Sequence, residues 1–211
     1  MQKKALASAK TLTVNLALIA AMATLATPGA LAQGTAEAHV KQAEAFHLIG
    51  RFGDAEKHYN LAVKQAFSLG QNNPNIPDVL ASSADFYRQR GNYGRAEQLY
   101  LQAIQYKKRG VGQEHIDLTN LYMGLGFLYY GEDKYYQAEE QYRSALSIYE
   151  KKLRTDKNIP NFNKRDVNLK MAECLEEIAR CVEKTKGAND AASYRAKAGQ
   201  IKASPMGDYY N

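Results

Sequence analysis

One motif recurs three times in this chain at nearly constant spacing. A-E-x-x-Y-x-x-A is written by Ala55, Glu56, Tyr59 and Ala62, then by Ala96, Glu97, Tyr100 and Ala103, then by Ala138, Glu139, Tyr142 and Ala145. The spacings are 41 and 42 residues. Twelve residues before each first Ala stands another small residue (Ala43, Ala84, Gly126), followed three positions on by an aromatic one (Phe46, Tyr87, Tyr129). A period of this length restricts the chain to an array of similar units, each burying its apolar face only against its neighbours.

The internal spacing says what each unit is. Small, aromatic and small residues at i, i+4 and i+7 fall on one face of a helix with 3.6 residues per turn. Each unit carries two such stripes, separated by Gly50-Arg51-Phe52-Gly53, Gly91-Asn92-Tyr93-Gly94 or Gly131-Glu132-Asp133-Lys134-Tyr135. Short glycine-containing breaks end one helix and start the next, so each unit is predicted to be an antiparallel helical hairpin. Small residues let the two backbones approach, and the aromatic ring fills the space beside them. Longer breaks, Gly70 to Asp78 and Gly110 to Asp117, link successive hairpins.

Small at repeat position 8, aromatic at 11, Gly at 15, aromatic at 17, Ala at 20, aromatic at 24 and Ala at 27 resembles the tetratricopeptide repeat. The period is longer than the usual one and is similar to repeats of the kinesin light chain type. The chain departs from the pattern at Asp133, where glycine is expected, and has no Trp at position 4. The resemblance implies an all-α, right-handed α-solenoid of antiparallel hairpins: about three clear repeats plus a degenerate capping hairpin. It also implies a noncatalytic scaffold that binds a protein or peptide in a concave groove lined by the first helix of each repeat.

Carried over position by position, the groove residues are Glu37, Val40, Glu44, His47 and Leu48, then Asp78, Ala81, Asp85, Arg88 and Gln89, then Asn120, Met123, Phe127, Tyr130 and Gly131. The strongest candidates for partner binding are Glu44, His47, Asp78, Asp85, Arg88, Met123, Phe127 and Tyr130. This face grades from acidic to aromatic. It lacks the Lys, Arg and Asn set by which some relatives clamp a terminal carboxylate, so a segment with a basic end and an apolar or aromatic portion is the expected ligand.

The fourth hairpin is read from residues 166 to 203. An apolar face of Leu169, Ala172, Leu175, Ile178, Ala179 and Val182 predicts a helix to about Lys186. Lys186-Gly187 breaks it, and a weakly hydrophobic segment around Tyr194 follows, as the polar outer element of a solenoid should. Residues 204–211 read as a flexible tail.

At the other end, Lys3, Lys4 and Lys10 precede an apolar stretch over 11–26, and Ala30-Leu31-Ala32 forms an A-x-A cleavage pattern. Residues 1–32 therefore read as a cleavable signal peptide, with the repeat domain over 33–203 and a periplasmic or secreted location. Without that leader the formal net charge of +6 falls to +3. That is too weak to argue for nucleic acid, and sixteen moderately apolar residues fall short of a membrane span of about 20.

Chemistry-bearing motifs are sparse. Cys174 and Cys181, seven apart on one helix, cannot bridge each other and read as small buried residues. His39, His47, His58 and His115 show no metal-binding spacing along the sequence, so no metal and no cofactor is expected. His47 beside Glu44 is the nearest approach to a catalytic pair, with no nucleophile in view. The basic clusters Lys107-Lys108-Arg109, Lys151-Lys152-Leu153-Arg154 and Lys184 with Lys186 sit near predicted helix C-termini, where cations offset the macrodipole. The alternative function is a self-assembling structural subunit of an envelope or secretion complex, with the cysteines or the tail joining copies as a homo-oligomer.

Overall fold

A computed structural model describes residues 35–156 and 163–206, so the expected signal peptide over 1–32 and most of the expected tail lie outside the described residues. The described chain is helical: α1 (Ala36–Leu48), α2 (Phe52–Ser68), α3 (Ile76–Gln89), α4 (Tyr93–Val111), α5 (Leu118–Gly131), α6 (Tyr135–Asp156), α7 (Lys164–Thr185) and α8 (Ala188–Ala203). Successive helices pack as hairpins, α1 on α2 through α7 on α8, and each hairpin packs on the next. First helices also touch, α1 with α3 and α3 with α5, so they share one side of the stack. No described helix is long and apolar enough to cross a membrane.

Two helix boundaries differ from the sequence reading. α3 begins inside the segment assigned to a linker, at Ile76, because Pro77 sits in its first turn, where a missing N–H costs nothing. α4 continues through Gly110 to Val111 and stops only at Gly112, whose φ is 93°.

The hairpin turns share one hydrogen-bond pattern. Gly50 N–H donates to His47 O and Arg51 N–H to Phe46 O, and Gly91 and Asn92 do the same with Arg88 and Tyr87. In the third turn Asp133 and Lys134 donate to Tyr130 and Tyr129. This is the Schellman closure, which needs a left-handed residue just past the helix. Gly50 and Gly91 supply it at φ 76° and 73°, and Asp133 does so at φ 59°. Asp is among the few side chains that tolerate this region, so the departure from glycine leaves the turn intact.

The motif positions form the core. Ala43, Ala55, Ala62, Ala84, Ala96, Ala103, Ala138 and Ala145 are fully buried, with Tyr59, Tyr100 and Tyr142 beside them. The glutamate of the motif has a separate role. Tyr87 Oη donates to Glu56 Oε1 at 3.0 Å, and Tyr129 Oη to Glu97 Oε1 at 2.6 Å. Each glutamate thus ties its own hairpin to the next one. At the third repeat Glu139 instead accepts from Arg143 at 2.6 Å, and Arg143 donates to Tyr194 on α8 at 2.6 Å. The stitch is rerouted at the last described hairpin.

The fourth hairpin is present as read, with Ala172, Leu175, Ile178, Ala179 and Val182 buried and Leu169 half-buried. The start of the tail is anchored: buried Asn168 donates from Nδ2 to Pro205 O at 2.6 Å.

Two motif tyrosines differ in a way that can be measured. Tyr100 Oη donates to Asp85 Oδ1 at 2.6 Å, whereas Tyr142, with Phe127 at the position of Asp85, has no hydrogen-bond partner among the described residues. Burial raises the pKa of both hydroxyls. Tyr100→Phe should therefore cost about 1–2 kcal/mol, while Tyr142→Phe should be neutral or slightly stabilising. Urea midpoints of the two variants check this, and equal losses would refute it.

Candidate functional site

The face shared by α1, α3, α5 and α7 carries three adjoining clefts. At the N-terminal end, Glu37, Val40, Lys41 and Glu44 of α1 face Asn75, Asp78, Val79 and Ser82 across about 260 Å³. Next to it, Glu44, His47 and Leu48 face Tyr59, Ser82, Asp85, Phe86 and Gln89 across about 590 Å³. Farther along, Asp85 and Arg88 of α3, Asn120, Met123, Gly124 and Phe127 of α5, Tyr149 of α6, and Lys170, Glu173 and Cys174 of α7 enclose about 290 Å³. Glu44 and Asp85 each line two clefts, so the three form one continuous groove.

Charges along this groove are less free than their spacing suggests. Asp85 accepts from Tyr100 and is ion-paired with Arg88 at 3.1 Å. Asp78 is paired with Lys107 at 3.0 Å, and Glu37 accepts from Asn75 Nδ2 at 2.6 Å. Glu44 is exposed and has no ion pair with a described residue. Burial pushes the Tyr59 hydroxyl up to about 12, and the negative charges of Glu44 and Asp85 add to the effect. The acidic end therefore rests mainly on Glu44, with Asp85 and Arg88 neutralising each other at the centre.

The remaining expected residues divide. Met123 and Phe127 line the third cleft, and Phe127 keeps 40% of its surface exposed with its ring edge-on to Tyr142. Tyr130 is outside the clefts, half-buried and packed edge-on against Tyr135 at 5.2 Å. His47 packs edge-on against Phe86 at 5.4 Å and beside Phe52 at 5.6 Å, a packing role at the groove wall.

The sequence reading did not assign Lys170 and Glu173, which are ion-paired at 2.8 Å. They lie on α7, the first helix of the fourth hairpin, and carrying the repeat register into that degenerate unit would have found them.

The other singled-out groups have structural partners. Cys174 and Cys181 are free thiols with no exposed surface, and burial pushes each up to about 12. Inert, inaccessible thiols cannot join copies. Of the basic clusters, Lys107 is taken by Asp78, Lys151 pairs with Glu114, and Lys108 and Arg109 lie over the rings of Tyr122 and Tyr106.

Residues 75–151 match the tetratricopeptide repeat family. That segment, from the start of α3 into α6, is thus similar to tetratricopeptide repeats. The crystal structure of BtubC (BKLC) from P. vanneervenii superposes with a TM-score of 0.68 at 20% identity, over 83% of this chain and 66% of that one. The nearly identical TPR-like repeats of a Podosopora anserina protein assigned as a kinesin light chain give a TM-score of 0.64 at 19% identity, over 94% of this chain and 87% of that one. Likeness at this identity shows the α-solenoid fold. The chain thus spans just under two thirds of the length of BtubC. Among curated proteins, none matches the sequence significantly. Tetratricopeptide repeats generally mediate protein–protein interaction and are typically noncatalytic.

Proposed function

We propose that this chain is an exported, noncatalytic tetratricopeptide repeat scaffold that seats an extended segment of a protein partner along α1, α3, α5 and α7. The observation that carries this reading is the continuity of the groove, from Glu44 past Asp85 and Arg88 to Phe127 and Lys170. A long open face favours an extended peptide with anchors at intervals. Glu44, exposed and unpaired with any described residue, suits a Lys or Arg of the partner. Phe127 offers an apolar or aromatic side chain a partner ring. Export rests on the leader pattern over residues 1–32, which directs the chain to the periplasm or the medium.

Peptides selected from a random display library on the immobilised chain test the reading. Enrichment in sequences joining a basic residue to an aromatic one is expected. Glu44→Lys and Phe127→Ala should each weaken a selected peptide by about tenfold, the scale of an interface anchor. Asp85 is unsuitable for this test, because its carboxylate also holds Tyr100. Enrichment of acidic C-terminal sequences, or selected peptides indifferent to both substitutions, would overturn the proposal.

A further inference from the structure

Two of the histidines that stand isolated along the sequence meet in space. His39 on α1 and His58 on α2 face each other across the first hairpin, hydrogen-bonded Nδ1 to Nδ1 at 3.3 Å with ring centroids 5.5 Å apart. The repeat register puts Leu80 and Leu99 at the corresponding positions of the second hairpin, and both are buried. No described hairpin precedes the first, and both histidines are half-buried there. The first described hairpin thus replaces an apolar pair by two imidazoles whose nitrogens meet.

A separation that one imidazole N–H bridges is also the bite of a chelate. A tetrahedral ion with Zn–N bonds of 2.0–2.1 Å holds two nitrogens about 3.3–3.4 Å apart. The His58 ring is also held in place: Phe46 stacks on it at 5.2 Å and 25°, and Arg51 lies over the Phe46 ring at 4.8 Å.

We propose that His39 and His58 chelate a divalent transition-metal ion of the Zn²⁺, Ni²⁺ and Cu²⁺ class through their two Nδ1 atoms on the first described hairpin. Imidazole suits these ions. Among the described residues no group of three His, Cys, Asp or Glu side chains could hold a metal. The remaining coordination positions therefore fall to water or to the same pair on a second copy, which would place four imidazoles around one ion.

Calorimetric titration of the untagged chain with Zn²⁺, paired with its mass in solution, tests the site. Water-completed coordination gives one ion per chain and an unchanged mass; a shared ion gives one per two chains and a doubled mass. Either outcome supports the chelate only if His39→Gln and His58→Leu each weaken binding by about tenfold or more. His58→Leu copies the residue that the second hairpin carries at this place, and metal-free thermal melts verify that both variants remain folded. Zn²⁺ binding that is unchanged in both variants, or absent in the wild type, overturns the proposal. Peptide selection on the groove is read separately, so failure of either proposal leaves the other standing.

Discussion

Gly126→Ala should destabilise the protein by about 1–3 kcal/mol, although glycine to alanine inside a helix ordinarily gains up to about 1 kcal/mol. A Cβ on Gly126 would lie 2.4 Å from Cε1 of Tyr142, whose ring is fully buried. The first two hairpins have Ala43 and Ala84 at this position, so they accommodate the methyl that the third does not. The third hairpin has closed further onto its tyrosine, and alanine would force α5 and α6 apart. Gly124 makes a similar approach, with a Cβ placed 2.6 Å from Cε1 of Tyr100 in the preceding hairpin. α5 is thus held between two rings by two absent side chains. A fall in Tm of roughly 3–10 °C is expected for Gly126→Ala in a chain of this size. Gly94→Ala is the control, since a Cβ there meets nothing within 4 Å. If both substitutions raise Tm alike, the close-packing account is wrong.

What could be read ahead of the structure follows from which interactions are periodic. The alanine and tyrosine stripes repeat at helical spacing, so the hairpins, their turns and the buried face followed from sequence alone. Gly126 could be read as a small residue of the stripe, yet the closer approach that excludes even alanine is a distance no periodicity encodes. The motif glutamates were visible as a repeated letter without a partner. Their acceptor role depends on Tyr87 and Tyr129 arriving from the next hairpin, 31 and 32 residues away. In the groove, position-by-position transfer named Glu44, Met123 and Phe127, which line the clefts, and did not show that Asp78 and Asp85 are engaged by Lys107, Arg88 and Tyr100. Lys107 and Tyr100 come from a second helix, which a rule built on first-helix positions cannot see, while Arg88 pairs with Asp85 one turn away on α3, both of them transferred positions. The His39 and His58 contact was illegible for the same reason: its residues are 19 apart and lie on different helices.

The ties between hairpins set how the array fails under stress. Glu97→Ala should cost about 1–3 kcal/mol, because it leaves the hydroxyl of Tyr129, a residue only 7% exposed, without its charged acceptor. Tyr129→Phe, which removes the donor while the half-exposed glutamate can turn to water, should cost about 1 kcal/mol. A double variant should lose little more than Glu97→Ala alone, giving a coupling energy of about 1 kcal/mol or more in the double-mutant cycle. In a linear array each hairpin touches only its neighbours, so the loss is concentrated at the boundary between α4 and α5. Hydrogen exchange should then separate α1 to α4 from α5 to α8, with the N-terminal half opening at lower free energy. That half lacks the long α6 and α7 pair, 22 residues each, and the Glu139, Arg143 and Tyr194 relay that closes the other end. Additive losses in the cycle, or exchange that still rises uniformly along all eight described helices, would show that the glutamate of the motif is a surface residue and that apolar packing alone holds the hairpins in line.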